Sequence, residues 1–86
     1  MDDSYLDLIA RIQNAKFRTT RFSPGYDEEE VDSFLDRLVA TFRESRLPDP
    51  DELHNVQFST RRMRPSYVMK DVDDLLREIA VVAAQL

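Results

Sequence analysis

Residues 21–36 read RFSPGYDEEEVDSFLD and residues 62–77 read RMRPSYVMKDVDDLLR, so one stretch occurs twice at an offset of 41 positions. Nine residues of the segment 14–35 are identical in its copy. The identical pairs are Asn14 and Asn55, Phe17 and Phe58, Thr19 and Thr60, Arg21 and Arg62, Pro24 and Pro65, Tyr26 and Tyr67, Val31 and Val72, Asp32 and Asp73, and Leu35 and Leu76. A fixed internal period indicates one supersecondary unit used twice.

The chain of 86 residues is too short for two independent domains. A copy alone would bury too little apolar surface to fold without a metal or a disulfide. Cysteine is absent, and the single His54 cannot form a tetrahedral zinc site. We therefore predict one domain with a shared core, made of repeat 1 (residues 1–46) and repeat 2 (residues 47–86), without metal or cofactor.

Composition favours helices. One glycine, four prolines and 34% charged residues describe a helical chain broken at a few places, and no strand-rich pattern competes. The predicted fold is all-α, with a short helix, a loop and a long helix in each repeat. The two long helices are predicted to pack together, either as a pseudo-dimer within the chain or through oligomerisation.

In repeat 1 the pattern predicts a short helix that starts near Asp3 or Ser4 and ends near Asn14. The long helix has a strong start signal, because Asp27 is a good N-cap and Glu30 lies three residues later, as in a capping box. This helix is predicted to end near Glu44 or Ser45.

In repeat 2 the short helix is predicted to have Asp49 as its N-cap and to run from Pro50 through Asn55. The last helix is predicted to begin near Ser66 or Tyr67 and to continue to the C-terminus. Its start signal is weaker, because Val68 occupies the position equivalent to Asp27 and cannot cap a helix.

Aromatic and acidic residues recur around each loop. We expect Phe17 and Tyr26, and likewise their copies, to staple each loop onto the helix that follows. We expect Asp32 to pair with Arg21, and Asp73 with Arg62. The alternative is that these side chains face a partner. The motif residues given a structural role are Phe17, Gly25, Tyr26, Asp27, Val31, Asp32, Phe58, Tyr67, Val72 and Asp73.

The two loops are basic within a chain of net charge -5. Half of the 12 lysines and arginines lie there, together with two apolar residues. The candidate surface for a membrane or a protein partner is Arg18, Arg21, Phe22, Arg61, Arg62, Met63 and Arg64. Basic residues near anionic lipid contribute roughly 1 kcal/mol each. The alternative is that the arginines pair with helix carboxylates, and nucleic-acid binding is not expected because no basic stripe stands apart from the acidic surroundings.

No catalytic residue is predicted, because the carboxylates are not organised with a nucleophile or a second histidine. The glutamates at 28–30 have an ordinary explanation in the helix dipole. No small-molecule substrate is expected. The last helix has a broad apolar face, which indicates surface for a partner or a second copy. The candidate interface residues are Leu75, Ile79, Val82 and Leu86.

Three motifs of repeat 1 resemble the DivIVA-domain family. They are IQNAKF at residues 12–17, PGYD at 24–27 and EVDSFLD at 30–36. The second copy is a weaker match, with LHNVQF at residues 53–58 and VDDLL at 72–76. The likeness covers about residues 12–42 and 53–83 and is nearest to the short tandem DivIVA-domain repeats of actinobacterial proteins.

The resemblance implies a bacterial protein of cell division, polar growth or envelope organisation, with coiled-coil pairing and a scaffold or adaptor role. Longer members continue into a parallel coiled coil, and we do not expect such a tail here. We expect a non-enzymatic protein-protein interaction adaptor. The alternatives are a peripheral module that binds anionic membrane through the loops, and a purely structural homo-oligomer.

The N-terminal residues are acidic and lack the basic and apolar regions of a secretory signal. No apolar run is long enough for a membrane span. We therefore expect a cytoplasmic location, either free or at the inner face of the plasma membrane.

Overall fold

Four helices and four short strands make up the chain in the computed structural model, which describes residues 3–86. The helices are α1 (Asp3–Gln13), α2 (Glu28–Arg43), α3 (Pro50–Asn55) and α4 (Met69–Ala83). The strands are β1 (Thr19–Thr20), β2 (Gly25–Tyr26), β3 (Thr60–Arg61) and β4 (Ser66–Tyr67). Each copy therefore contributes the order helix, strand, strand, helix.

The strands form one antiparallel sheet in the order β1-β4-β2-β3, so strands of the two copies alternate. Thr19 pairs with Tyr67 and, in the equivalent place, Tyr26 pairs with Thr60. The two tyrosines also pair with each other, at the centre of the sheet. The sheet thus joins the copies and contains no pair of neighbouring strands from one copy.

The predictions of an all-α fold and of coiled-coil pairing are wrong. The structure is mixed, with four helices and a small four-stranded sheet among the described residues, and α1 packs against both long helices. Each strand has only two residues, which is too short for an alternating pattern to be visible in the sequence. Every strand partner lies in the other copy, more than thirty residues away, so no local hairpin signal exists either.

Three helix predictions are confirmed within the usual uncertainty of helix ends. The helix α1 ends at Gln13, Asp27 is the N-cap of α2, and Asp49 caps α3 with Pro50 at its first position. The prediction that a secretory signal is lacking rests partly on Met1 and Asp2, which lie outside the described residues. Among residues 3–86, no helix combines the length and apolar character that crossing a lipid bilayer requires.

The predicted start of the last helix is wrong. The helix α4 begins at Met69 after Val68, whose side chain makes no capping hydrogen bond. Ser66 is not a cap but a residue of β4, fully buried, and its hydroxyl donates to the carbonyl oxygen of Thr20 at 3.3 Å. Ser66 and Tyr67, where the last helix was predicted to begin, therefore belong to the sheet.

The core is shared between the copies. Its buried side chains come from all four helices, and Phe42 and Ile79 are among those with no exposed surface. The remaining buried apolar residues are Leu8, Ile9, Ile12, Val31, Phe34, Leu35, Leu38, Val39, Leu53, Val72, Leu75 and Leu76. Phe17, Tyr26, Phe58 and Tyr67 pack on this cluster from the sheet side.

Residues 44–49 form the hinge that connects the repeats. The helix α2 ends in a Schellman motif, in which the Ser45 N–H donates to Phe42 O at 2.9 Å and the Arg46 N–H donates to Thr41 O at 3.2 Å. The backbone of Ser45 has the left-handed conformation, with φ of 56°. Glycine is the usual residue in this place, because a Cβ is strained there.

Gly25 lies where the two copies come closest. A Cβ at Gly25 would be 2.3 Å from Ser66 Oγ and 2.6 Å from the Tyr67 carbonyl oxygen, both shorter than any normal contact. Its equivalent in repeat 2 is Ser66, so only one of the two facing positions carries a side chain. The absence of a side chain at 25 makes room for the one at 66.

Gly25→Ser is expected to lower the free energy of unfolding by about 1–3 kcal/mol, the usual range for overpacking a tight site. The reciprocal variant Gly25→Ser/Ser66→Gly removes the contact with Ser66 Oγ but keeps the one with the Tyr67 carbonyl oxygen, so it is expected to recover only part of that loss. Urea denaturation followed by circular dichroism measures both. A double variant no more stable than Gly25→Ser would show that the two positions do not share one space.

Candidate interaction surface

The start of each long helix is capped by the loop of the other copy. At α2, the Ser59 N–H donates to Glu30 Oε1 at 2.9 Å, and the Ser59 carbonyl accepts from the Asp27 N–H at 2.9 Å. At α4, the Arg18 N–H donates to Asp71 Oδ2 at 2.9 Å, and the Arg18 carbonyl accepts from the Val68 N–H at 2.9 Å. Ser59 is the copy of Arg18, so the two sets are equivalent.

We call this pair of contacts the crossed cap. In an ordinary capping box, the carboxylate at the third helical position reaches back to the N–H of its own N-cap. Here that carboxylate and the N-cap N–H both bind one residue of the other copy. Asp27 still accepts from the Glu30 N–H at 3.1 Å, so the other half of the predicted capping box is retained.

Two arginines reinforce the crossed cap. The Arg18 guanidinium donates to both oxygens of Asp71 at 2.8 and 2.9 Å, and Arg61 Nε donates to Asp27 Oδ2 at 3.1 Å. The hydrogen bonds from Arg18 lower the pKa of Asp71, whereas the pKa of Asp27 is lowered first by its hydrogen bond from the Glu30 N–H and then by that from Arg61. Arg18 and Arg61, both predicted as partner contacts, are therefore held against helix starts.

The spacing of tyrosine and aspartate that both copies share is also explained by contacts between the copies. The Tyr26 hydroxyl donates to Asp73 and the Tyr67 hydroxyl donates to Asp32, each at 2.8 Å. Burial, followed by the hydrogen bond to aspartate, raises the pKa of both tyrosines to about 12. Both phenols thus remain protonated donors well above neutral pH.

The expected pairing of each aspartate with the arginine of its own loop is wrong. Within residues 3–86, no ion pair joins Asp32 to Arg21 or Asp73 to Arg62. The aromatic staple is likewise crossed. The ring of Phe17 packs on Tyr67 with centroids 5.0 Å apart, and that of Phe58 packs on Tyr26 at 5.3 Å.

Sequence reasoning missed the functional part that Ser59, Ser66 and Asp71 play in joining the copies. A signal existed for Asp71, because an acidic residue occupies the third helical position in both copies. No signal existed for Ser59, whose backbone makes the contact and whose copy is an arginine.

The tips of the two loops take no part in these contacts and are exposed. Phe22 and Met63 occupy equivalent positions and are 75% and 74% exposed, more than any other large apolar side chain described in residues 3–86. Arg21, Arg62 and Arg64 beside them are exposed, and within the same residues no ion pair holds them. We call Arg21, Phe22, Arg62, Met63 and Arg64 the loop-tip surface.

The backbone of Met63 has the left-handed conformation, with φ of 64°. A left-handed backbone strains a residue with a long side chain, and such strain concentrates at functional positions. An exposed methionine at this place gains nothing from packing inside the chain.

The candidate interface on α4 divides into two parts. Leu75 and Ile79 are buried in the core and are not accessible to another molecule. Val82 is partly buried and Leu86 is 43% exposed. In the part of the chain that the structure describes, no group of three or more histidine, cysteine or acidic side chains could hold a metal ion.

Compared with known proteins, the chain matches no family model, no curated sequence and no solved structure. Its assignment to the DivIVA-domain family therefore stays a prediction made from its motifs.

Asp71→Asn is expected to weaken the acid dependence of stability. Hydrogen bonds from Arg18 lower the pKa of Asp71 from 3.8 to about 2 in the folded chain. A folded-state pKa below the unfolded one gives stability that is present above about pH 4 and lost as the pH falls towards about 2. Urea denaturation at several pH values between 7 and 2 should show a shallower decline for the variant.

Asp36→Asn is the matched control, because Asp36 is an exposed carboxylate on α2. The free energy of unfolding of this variant should fall between pH 7 and 2 as steeply as that of the wild type. If Asp71→Asn and Asp36→Asn decline alike between pH 4 and 2, the ion pair with Arg18 does not couple protonation to folding.

Proposed function

We propose that the chain is a non-enzymatic interaction module that binds a protein partner through the loop-tip surface. The observation that carries the proposal is the equal and strong exposure of Phe22 and Met63, at equivalent positions of two loops that are otherwise fixed by contacts. Through its resemblance to DivIVA-domain proteins, we place this binding in bacterial cell division, polar growth or envelope organisation.

The division of the basic residues supports the proposal. Arg18 and Arg61 bind the helix carboxylates Asp71 and Asp27. The arginines of the loop-tip surface have no such partner among the described residues, and they flank the two apolar side chains. Arginine and exposed aromatic or methionine side chains are enriched where proteins bind one another.

The anchoring of the backbone on both sides of each tip supports it further. The strands on both sides of each tip are paired, and the neighbouring backbone is tied to a helix start by the crossed cap. Binding residues held by a fixed scaffold lose little conformational entropy when a partner arrives. The strained backbone of Met63 fits a side chain that is kept for contact.

The test is a pull-down from the native bacterial cytoplasm with the immobilised chain. Phe22→Ser/Met63→Ser is expected to lose the captured partner, with at least about a tenfold loss of affinity once the partner is purified. The control is Leu6→Ser/Val81→Ser, which removes two apolar side chains that are 51% and 54% exposed elsewhere. Equal capture by the wild type and the tip variant would contradict the proposal.

A second candidate is binding to anionic membrane, favoured by the same combination of two apolar side chains with Arg21, Arg62 and Arg64. Each arginine near an anionic surface contributes roughly 1 kcal/mol, and the attraction falls with salt. The wild type should then sediment with vesicles containing phosphatidylglycerol at low salt, and Arg21→Glu/Arg62→Glu should not. Wild type that stays in the supernatant would exclude this candidate.

A purely structural homo-oligomer is the third expectation. Its predicted interface is less accessible than the loop-tip surface, because Leu75 and Ile79 are buried within the chain. Multi-angle light scattering tests it directly. A stable oligomer that Leu86→Ser disrupts, at the exposed residue of the predicted interface, would favour it, and the absence of any oligomer would exclude it.

A further inference from the structure

The contacts that hold the two repeats together do not depend on their being in one chain. The crossed caps, the tyrosine-aspartate hydrogen bonds and the strand pairs each take one residue from repeat 1 and one from repeat 2. The same contacts would form between repeat 1 of one molecule and repeat 2 of another. Exchange of identical elements is a low-cost route to a dimer, because no new interface is needed.

The hinge at residues 44–49 carries strain that opening would release. Ser45 has a left-handed backbone, which is unfavourable for a residue with a Cβ. If α2 continued through Arg46, the backbone of Ser45 would become helical and its strain would disappear. The helix could not extend much further, because Leu47 precedes Pro48 and the α conformation is disfavoured before proline.

The facing positions 25 and 66 decide which repeats can pair. Repeat 1 against repeat 2 places Gly25 against Ser66, and the space there admits only one side chain. Two copies of repeat 2 would set a second Ser66 in the place of Gly25, where a Cβ comes within 2.6 Å of the Tyr67 carbonyl oxygen as well as 2.3 Å of Ser66 Oγ. They would also lack the ion pair between Arg61 and Asp27, since Val68 stands at the equivalent position.

Two copies of repeat 1 would meet no such clash, but they would leave two copies of repeat 2 without a partner. If every repeat is to have a partner, exchange must pair repeat 1 of one chain with repeat 2 of another. We call each such pair a lobe. Two chains are the smallest number that closes this arrangement with no repeat left over.

We propose that two copies of this chain exchange repeats to form a closed dimer, with residues 44–49 as the hinge. Each lobe contains repeat 1 of one chain and repeat 2 of the other, and each lobe presents one loop-tip surface. The dimer offers two such surfaces on one particle, so a target with several binding sites would hold it more tightly than it holds the monomer. The exchange itself does not depend on what the loop-tip surface binds.

The first test compares Ser45→Ala with Ser45→Gly, two variants at one exposed position. Alanine favours the helical, open hinge and glycine tolerates the left-handed, closed hinge. After unfolding and refolding over a range of concentrations, light scattering should give Ser45→Ala a dimer association constant at least about tenfold higher than that of Ser45→Gly, because two hinges open in each dimer. Equal association of the two variants, or a monomer at every concentration, would overturn the proposal.

The second test identifies the contacts within the dimer. Thr20 and Ser66 are partners on neighbouring strands, and the chain has no cysteine of its own. A chain with Thr20→Cys and a chain with Ser66→Cys are refolded together in the Ser45→Ala background and oxidised. A disulfide between the two chains is expected, since exchange places the two cysteines side by side in one lobe.

Each cysteine variant oxidised alone is the control for random collision. The double variant Thr20→Cys/Ser66→Cys, oxidised as a dilute monomer, should close its own repeats and no longer dimerise. Cross-linking of the mixture no greater than that of the single variants would show that the dimer forms without exchange. Circular dichroism confirms that each variant keeps its helices.

Discussion

A helix start leaves backbone N–H groups without intrahelical partners, and in this chain the other copy satisfies one of them at each long helix. The crossed cap binds the N-cap N–H of α2 to Ser59 and that of α4 to Arg18, while the carboxylates of Glu30 and Asp71 accept from the same two residues. Neither long helix has a complete start unless the opposite loop is in place. Folding of the two copies is therefore coupled through the backbone itself.

The rest of the structure follows from this crossing. Because each loop lies over the opposite helix, its strand must pass the other copy at the centre, where only Gly25 leaves enough room for Ser66. The aromatic rings and the tyrosine hydroxyls then meet partners from the other copy as well. The loop tips are what remains outside, and this is why Phe22 and Met63 are exposed while most other aromatic and apolar loop residues are in contact.

Sequence-based prediction succeeded where the cause was local. The start of α2 at Asp27 and that of α3 at Asp49 depend on residues within one turn, and both were predicted. It failed where the partner was distant. The strands were missed because two residues carry no pattern, and Asp32 was assigned to Arg21 in the loop of its own repeat although its hydroxyl partner is 35 residues away.

The sequence by itself determined that one unit is used twice, where most helices begin and end, and that both loops are basic and carry an apolar residue. Only the tertiary structure decided that the loops cross, and with it that Arg18 and Arg61 hold helix starts while Arg21, Arg62 and Arg64 stay exposed. The physical reason is the duplication. Two similar copies offer each loop two similar helix starts, and each loop binds the start in the other copy, a choice that no local signal encodes.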